Sequence, residues 1–312
     1  MGITLYKNAD WILTVNEKRE KFRHGDLLIS GKEILDVGND LEKKYAGKLQ
    51  IDKTIDAKGT VILPGFVNIH HHTWQSLIRN IQATRGLKLE PWLTVMYEIY
   101  KDLNTDVARA GVYSGLGDML KTGCTTSNDL WYPHPVGVKY LVDAEIQAAA
   151  EIGIRFHPTR GFHSVPSDIV PPEVVDTKES VTEDTIRLVK KYHDRSRFSM
   201  CQVGIAPSIA QYETEDIIEA VVDLAEEYDI MVHGHLAESQ HEVEYTLKTW
   251  GCRPFEWFKR HRLLGKRFYF AHCIHLNEEE IEQMAETETG VAHWPISNML
   301  LSSGACPVPS YL

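Results

Sequence analysis

The feature that most constrains the fold is a change of pattern near residue 61. From there on, short apolar segments of strand length alternate with amphipathic segments of helix length, such as residues 214–228. This alternation is typical of parallel strands joined by helical crossovers, so it predicts an α/β fold. The predicted strands are 66–70, 124–130, 154–159, 201–207, 230–236, 268–274 and 290–296.

Two architectures fit this alternation: a doubly wound open sheet and a TIM-type barrel. No GxGxxG motif follows an early strand and no GxxxxGK[ST] motif occurs, which weighs against a nucleotide-binding open sheet. Seven strands are predicted, one fewer than a closed eight-stranded barrel has. Capping boxes are predicted at Ser180 with Glu183 and at Asn277 with Glu280, and a helix end is predicted at Gly153.

Residues 1–62 have a different pattern, with several short β-segments. Gly31-Lys32 separates two of them as a hairpin turn would, and two more flank Lys58-Gly59. They are too few for a complete sandwich of about seven strands. We therefore expect an N-terminal part of a β-sandwich over residues 1–62 and a separate domain over residues 63–312.

Composition narrows the function. The chain has 312 residues and a formal net charge of −11, with no long basic tract, which is a poor basis for binding nucleic acid or an anionic membrane. No apolar run approaches the roughly 20 residues of a membrane span, and the N-terminus does not resemble a secretion signal. Five scattered cysteines without a CxxC pair indicate a reducing compartment. We expect a cytoplasmic protein that binds neither nucleic acid nor a membrane, and leave a homo-oligomer open.

Histidines gather at the ends of the predicted strands. In the first cluster, strand alternation would place His70 and His72 on one face and His71 on the other. Two imidazoles one residue apart can bind a single divalent metal. The alternative is a histidine-rich loop edge without a ligand.

A second cluster combines His233, His235 and Glu238. The two histidines share a strand face, and Glu238 would lie at the carboxyl end of the strand, where barrels carry their chemistry. A carboxylate beside a metal-bound water can take and return its proton. The alternative is a glutamate that opens the helix starting at Ser239.

Two further strands also end in histidine, at His272 and at His293. The strand 201–207 has no lysine that could bridge two metals, which favours a single metal. Zinc and iron(II) both suit histidine ligands. His134, His157 and His163 are expected near the same rim, with structural roles favoured over substrate contact.

Several motifs carry a family resemblance. LPGFVNIHHHTWQSLIRN, GHLAE, AHCIHL and HWPISNM resemble the amidohydrolase superfamily, in its deaminase and chlorohydrolase branch. IRFHPTRG, KKYHD, GCRPFEW and AETETGVAHWPISNM are most similar to the 8-oxoguanine and isoxanthopterin deaminase subgroup. The resemblance extends over roughly residues 1–310 and implies a distorted (β/α)8 barrel plus a sandwich built from both chain ends.

The resemblance also implies roles for the histidines. His70, His72 and His235 would bind one divalent metal, zinc first and iron(II) as the alternative. Glu238 would move the proton, and His272 would hold the attacking hydroxide or the developing oxyanion. A structural turn would run from His293 to Asn298.

The implied reaction is hydrolytic deamination of an aminated purine- or pterin-type heterocycle, with release of ammonia. Four residues near the expected rim or lid are candidates for substrate contact: Gln75, Trp92, Trp131 and Arg160. For Trp92 the alternative is helix packing, and for Arg160 it is a structural ion pair.

One departure from the family pattern concerns strand 8, which carries a metal-binding aspartate in that family. The sequence ends at Leu312, before that strand, and Asp129 is the nearest earlier carboxylate to substitute for it. A barrel of about 250 residues plus sandwich strands from both ends does not fit in this length. We therefore expect strands 1–7 of the barrel with strand 8 missing. Three hypotheses follow: a heterocycle deaminase, an s-triazine amino- or chlorohydrolase, and a truncated chain without activity.

Overall fold

The chain divides into two compact units. The structure is a computed structural model and describes residues 2–312. One unit is Met1–Phe66 and the other is Val67–Leu312. The sequence prediction places the division between residues 62 and 63.

The first unit is built on one five-stranded sheet. Its strands are β1 (Ile3–Leu13), β2 (Lys21–Ser30), β3 (Glu33–Gly38), β4 (Lys53–Asp56) and β5 (Val61–Ile62), and helix α1 (Leu41–Tyr45) follows β3. The sheet order is β3-β2-β1-β4, with β5 also pairing with β1. The predicted hairpin between β2 and β3 is present, with Gly31 at a φ of 57° in its turn. Leu5 and Leu28 pack with Leu41 in a fully buried cluster.

The second unit is built on a seven-stranded sheet in the order β12-β11-β10-β9-β8-β7-β6. The strands are β6 (Phe66–Asn68), β7 (Cys124–Trp131), β8 (Arg155–Phe162), β9 (Gly204–Pro207), β10 (Val232–Leu236), β11 (Phe268–His272) and β12 (Gly290–Ala292). The five neighbouring pairs from β7 to β12 are parallel. All seven predicted strands are thereby confirmed.

Helices connect these strands, as the alternation predicts. They are α2 (Leu89–Tyr100), α3 (Thr105–Lys121), α4 (Leu141–Ile152), α5 (Lys178–Tyr192), α6 (Glu215–Tyr228), α7 (Gln240–Trp250), α8 (Pro254–Arg260), α9 (Glu278–Thr287), α10 (Pro295–Leu300) and α11 (Val308–Tyr311). Helix α6 matches the predicted helix over 214–228 and buries its apolar stripe. None of the helices in residues 2–312 has both the length and the apolar character needed to cross a membrane.

The sheet curls upon itself. His70, just after β6, lies 2.6 Å (Nδ1 to Nε2) from His233 of β10, although the two strands are four places apart in the sheet. A flat open sheet could not bring these strands into contact, so the curl decides for the barrel type over the doubly wound alternative. Residues 2–312 supply seven strands to this sheet.

Some predicted element bounds are wrong at the ends. Strands β6, β11 and β12 stop at Asn68, His272 and Ala292, earlier than predicted. At β11 the reason is the backbone: His272 and Cys273 have φ values of 73° and 48°, which a strand cannot continue through. After β12, Pro295 begins α10, where its lack of an N–H costs nothing.

The helix ends also test local predictions. Helix α5 is capped by Thr177, whose Oγ1 accepts from the Ser180 backbone N–H at 3.2 Å, so the predicted box of Ser180 with Glu183 is wrong by one turn. The box at Asn277 with Glu280 is confirmed, with bonds of 2.8 and 2.9 Å. Gly153 ends α4 with a left-handed φ of 79°, as predicted.

Candidate active site

Three histidines converge at the carboxyl ends of the strands. His70 and His72 follow β6, and His235 lies in β10. All three are buried, and each offers a ring nitrogen within 4.8 Å of the others. His72 Nε2 and His235 Nε2 are 3.3 Å apart. His71 faces the other way, toward Gly115 of α3, as strand alternation predicts.

Backbone carbonyls fix the rings of His72 and His235. His72 Nδ1 donates to the carbonyl oxygen of Leu130 at 2.8 Å, and His235 Nδ1 donates to that of Ser208 at 2.7 Å. A neutral ring that donates from Nδ1 keeps its lone pair on Nε2. Both Nε2 lone pairs therefore point toward the shared centre.

These residues fit a divalent metal. Burial, followed by neighbouring imidazoles, lowers the pKa of His70 and His72 well below the usual range, and burial lowers the pKa of His235 to about 3. The rings are therefore neutral, which is the state that binds metal. His70 Nε2 is buried and has no hydrogen-bond partner among the described residues. A metal ion would satisfy this atom, and three neutral imidazoles are a common donor set for zinc.

Glu238 lies two residues beyond β10 and is buried. It is not the cap of α7: Ser239 is the cap, and its hydroxyl accepts from the Glu242 backbone N–H at 3.1 Å. The Glu242 carboxylate accepts from the backbone N–H groups of Ala237 and Glu238 at 3.1 and 2.9 Å. Ala237 has a left-handed φ of 49°, so these bonds hold a strained turn that aims Glu238 into the site.

The carboxyl of Glu238 holds its proton unusually strongly. Burial, then the negative charges of Glu242 and Glu90, raise its pKa to about 8. A carboxyl that is protonated near neutral pH can donate a proton. The raised pKa of Glu238 depends on its burial and on the two neighbouring carboxylates, and both arise only in the folded chain.

His272 stands next to Glu238 and is oriented by Asn298. His272 Nε2 lies 3.3 Å from Glu238 Oε2, while its Nδ1 donates to Asn298 Oδ1 at 2.7 Å. Burial lowers the pKa of His272 to about 4, so the neutral ring carries its lone pair on Nε2. The turn after β12 thus supplies a side chain that orients His272, beyond the turn role predicted for Asn298. His293, at the other end of that turn, is exposed.

An aromatic cavity opens beside these groups. Gln75 and Trp92, two of the predicted substrate contacts, line it. Trp131 does not: its ring is fully buried, packs on Trp74 with centroids 4.6 Å apart, and donates from Nε1 to the Pro133 carbonyl at 2.8 Å. Other cavity residues, which sequence reasoning did not single out as contacts, are Leu89, Leu93, Tyr97, Tyr132 and Tyr212.

Arg160 also lies outside the lining of this cavity. It is buried in ion pairs with Asp176 (2.8 Å) and Asp184 (3.0 Å). The structural ion pair that the sequence left open for Arg160 is the arrangement found. His163, in contrast, lines the cavity and lies 2.5 Å from the hydroxyl of Tyr97.

Asp129 does not belong to the group of residues that could hold a metal, so it does not substitute for the missing aspartate. Its Oδ1 accepts from the backbone N–H of Thr73 at 2.5 Å, and the Thr73 hydroxyl donates to Glu145. Burial raises the pKa of both carboxyls. Among the described residues, the group that could hold a metal consists of the three histidines. Asp129 and Glu145 instead anchor the turn directly after His72.

Sequence reasoning missed Glu242 and Glu145. Both are polar residues on helices, and a buried carboxylate on a helix cannot be told from a solvated one by pattern. The one available signal for Glu242 is its position three residues after Ser239, at the start of a helix. For Glu145 the helical stripe of α4 gives no such signal.

The fold and the site together define an α/β barrel-type protein with a group of histidines that could hold a metal ion at the carboxyl ends of its strands. The model of the amidohydrolase family matches residues 61–312. The chain belongs to the amidohydrolase family.

Similar proteins include two deaminases. The chain is 34% identical to an 8-oxoguanine deaminase of Pseudomonas aeruginosa over 255 residues, which cover 81% of this chain and 57% of that protein. It is 31% identical to a 5-methylthioadenosine/S-adenosylhomocysteine deaminase of Bacillus cereus over 310 residues, covering 99% of this chain and 67% of the relative. The matches thus extend over only part of each relative's length.

Solved structures agree in fold. Atrazine chlorohydrolase from Arthrobacter aurescens, complexed with zinc, superposes with a TM-score of 0.91 at 24% identity, covering 99% of this chain and 69% of that one. Guanine deaminase from C. acetobutylicum, with bound guanine, superposes with a TM-score of 0.84 at 22% identity, covering 99% and 72%. These likenesses confirm the predicted barrel-type α/β fold.

Proposed function

We propose that this chain is a metal-dependent hydrolytic deaminase of an aminated purine- or pterin-type heterocycle. The observation that carries the proposal is the convergence of His70, His72 and His235 beside a cavity that is lined by His72, His235, Glu238 and His272. Similarity to an 8-oxoguanine deaminase over 81% of the chain supports the substrate class.

One divalent metal, zinc in the first instance, would be held by the Nε2 atoms of His70, His72 and His235. When bound, such a metal lowers the pKa of water, to about 7 in favourable zinc sites, and so supplies a nucleophile at neutral pH.

Glu238 moves the proton in the proposed reaction. Its protonated carboxyl donates to the ring nitrogen next to the carbon that bears the amine, and later to the departing amine. After the first donation the Glu238 carboxylate takes the proton of the attacking oxygen, which becomes the ring carbonyl, and after the second donation it takes a proton from the next water. His272, with its lone pair on Nε2, accepts a hydrogen bond from the attacking oxygen and keeps that oxygen in line with the ring carbon.

The cavity wall suits a flat heterocycle. Trp92, Tyr97 and Tyr132 supply aromatic surface for the ring, and they exclude water from the reacting carbon. Gln75 donates from Nε2 to the Tyr100 hydroxyl at 3.0 Å, and its Oε1 is the atom that would accept from a ring N–H or amine.

A panel of substrates tests this proposal. We expect the zinc-loaded chain to release ammonia from at least one of 8-oxoguanine, guanine, isoxanthopterin and S-adenosylhomocysteine. The first three are free heterocycles and the last carries a ribose. The set of compounds that release ammonia therefore also shows which of these two classes the chain accepts. Absence of ammonia from all of them would contradict the deaminase proposal.

Glu238→Gln is the matched variant for the mechanism. The amide keeps the shape of the side chain but cannot hold a transferable proton, so turnover should fall by about 10²–10⁴-fold. Zinc content, measured by atomic emission, should stay unchanged because Glu238 lies outside the histidine group. A near-normal rate in this variant would show that another group moves the proton.

An s-triazine amino- or chlorohydrolase is the second candidate. It is favoured by 27% identity over 320 residues to a hydroxydechloroatrazine ethylaminohydrolase of a Pseudomonas species, covering 99% of this chain and 66% of that protein. The same site would attack a triazine carbon and expel an alkylamine or chloride. Adding a hydroxylated and a chlorinated triazine to the panel, with detection of amine and chloride, separates the two candidates.

A further inference from the structure

His70 is held differently from the other two metal-directed histidines. His72 and His235 donate Nδ1–H to backbone carbonyls, which are present whatever the side chains are. His70 Nδ1 instead lies 2.6 Å from Nε2 of another side chain, that of His233. The orientation of His70 therefore depends on a residue that a substitution can remove.

His233 is itself fixed by Tyr269, its neighbour across the β10–β11 ladder. His233 Nδ1 lies 2.9 Å from the carbonyl oxygen of Tyr269, and the two rings stack with centroids 4.1 Å apart and planes 9° from parallel. Because a carbonyl oxygen can only accept, His233 donates from Nδ1. A neutral ring in this state has its lone pair on Nε2, directed at His70.

We infer that His233 is a positioning residue of the metal site: it accepts the Nδ1 proton of His70 and so keeps the Nε2 lone pair of His70 directed at the metal. The chain of bonds runs from the Tyr269 carbonyl through His233 to His70. This inference rests on the metal-binding part of the proposed function and is independent of the substrate.

The bond matters because His70 is buried. Without an acceptor, the Nδ1 proton of His70 would be an unsatisfied buried donor, and moving the proton to Nε2 would block the lone pair that binds metal. An imidazole acceptor also adds no negative charge, unlike a carboxylate in the same position. His233 thus orients a ligand without weakening the charge of the bound metal.

Two substitutions separate the hydrogen bond from the packing. His233→Phe keeps an aromatic ring to stack on Tyr269 but removes the acceptor. His233→Gln places a side-chain oxygen near the position of the imidazole Nε2, where it can still accept from His70. Tyr269→Phe is the matched control, because it keeps both the backbone carbonyl and the stacked ring.

Cobalt(II) is the probe, titrated into the metal-free chain against a competing chelator and followed by its visible absorption. We expect His233→Phe to weaken cobalt binding by about 10–100-fold, the usual effect of removing a partner of a metal ligand. His233→Gln should recover most of the affinity and the wild-type absorption, and Tyr269→Phe should match the wild type.

Thermal unfolding of the metal-free variants shows which of them are folded. If His233→Phe does not fold, His233→Asn replaces it, since its shorter amide keeps a polar group near Tyr269 but cannot reach His70. Wild-type affinity in the Phe or Asn variant would overturn the inference, and so would equal weakening in the Gln variant. A wild-type chain that binds cobalt but releases no ammonia contradicts the proposed reaction alone.

Discussion

At the scale of single residues, the second nitrogen of each imidazole decides how the site is arranged. His72, His235 and His272 each donate Nδ1–H to an oxygen, so that each Nε2 faces the cavity. The sequence was enough to predict that His70 and His72 lie on the same side, because side chains alternate with a period of two along a strand. The hydrogen-bond acceptors of the rings could not be predicted in this way, since Leu130 lies 58 residues from His72 and Ser208 lies 27 residues from His235.

Asn298 gives a prediction at this scale. Asn298→Ala removes the acceptor of His272 Nδ1–H and allows the ring to place its proton on Nε2. We expect kcat to fall by about 10–100-fold, with zinc content unchanged, since outer partners of active-site histidines have effects of this size. Steady-state kinetics on the best substrate of the panel measures the effect. Asn298→Asp, which keeps an acceptor oxygen at the same place, should lose less; equal losses would exclude orientation of His272 as the cause.

At the scale of elements, a neighbouring strand and a neighbouring helix hold the turn that follows His70 and His72. The turn after β6 is bound by Asp129 of β7 and Glu145 of α4, which meet at Thr73. The sequence predicted β7 to within one residue at its end, but it assigned Asp129 a different role. The reason is that a carboxylate at a strand end can serve a metal or a backbone N–H, and only the position of the neighbouring turn decides between them.

The two carboxyls predict a pH dependence of stability. Burial raises their pKa in the folded chain, so the folded state keeps a proton that the unfolded state has lost above its usual pKa near 4. Their contribution to stability is complete below that pKa and is lost as pH rises through the raised values. Between pH 5 and pH 8 these two carboxyls therefore lower the free energy of unfolding of the metal-free chain, whereas the buried neutral histidines raise it over the same range.

Asp129→Asn tests this sign. The amide oxygen can still accept from the Thr73 backbone N–H but cannot ionise, so the contribution of Asp129 is lost. The free energy of unfolding at pH 8 minus that at pH 5 should therefore be more positive than in the wild type by about 1 kcal/mol or more, given about 1.4 kcal/mol per pKa unit. Urea unfolding at both pH values measures it. Asp118→Asn, at a partly exposed position of α3, is the control and should leave this difference between the two pH values unchanged. A less positive difference in Asp129→Asn than in the wild type would contradict the assigned direction.

At the scale of the whole molecule, a curled parallel sheet gathers residues that are far apart in sequence. His70 and His233 are 163 residues apart and in hydrogen-bond distance. The alternation of strands and helices predicts parallel strands, and parallel strands place their carboxyl ends at one edge. The curl then turns that edge into a ring of side chains around one centre.

Metal removal gives the prediction at this scale. A ligand that binds only the folded chain stabilises it, by about 2.7 kcal/mol at a hundredfold excess over Kd. Zinc should therefore raise the Tm of the metal-free chain in calorimetry, and a chelator should reverse the rise. His72→Ala is the control: it lacks one ligand, and zinc should shift its Tm much less. An equal shift in both would place the zinc at another site.

The sequence by itself determined the α/β class, the seven strands, the histidines with Glu238 and the family resemblance. These depend on patterns over a few neighbouring residues, and the physics of side-chain alternation and capping acts over the same range. Only the tertiary structure decided which ring nitrogens face the cavity, that Glu238 holds its proton, and that Trp131 and Arg160 lie outside the cavity lining. Those properties depend on contacts between distant segments and on burial, and neither exists until the sheet has curled.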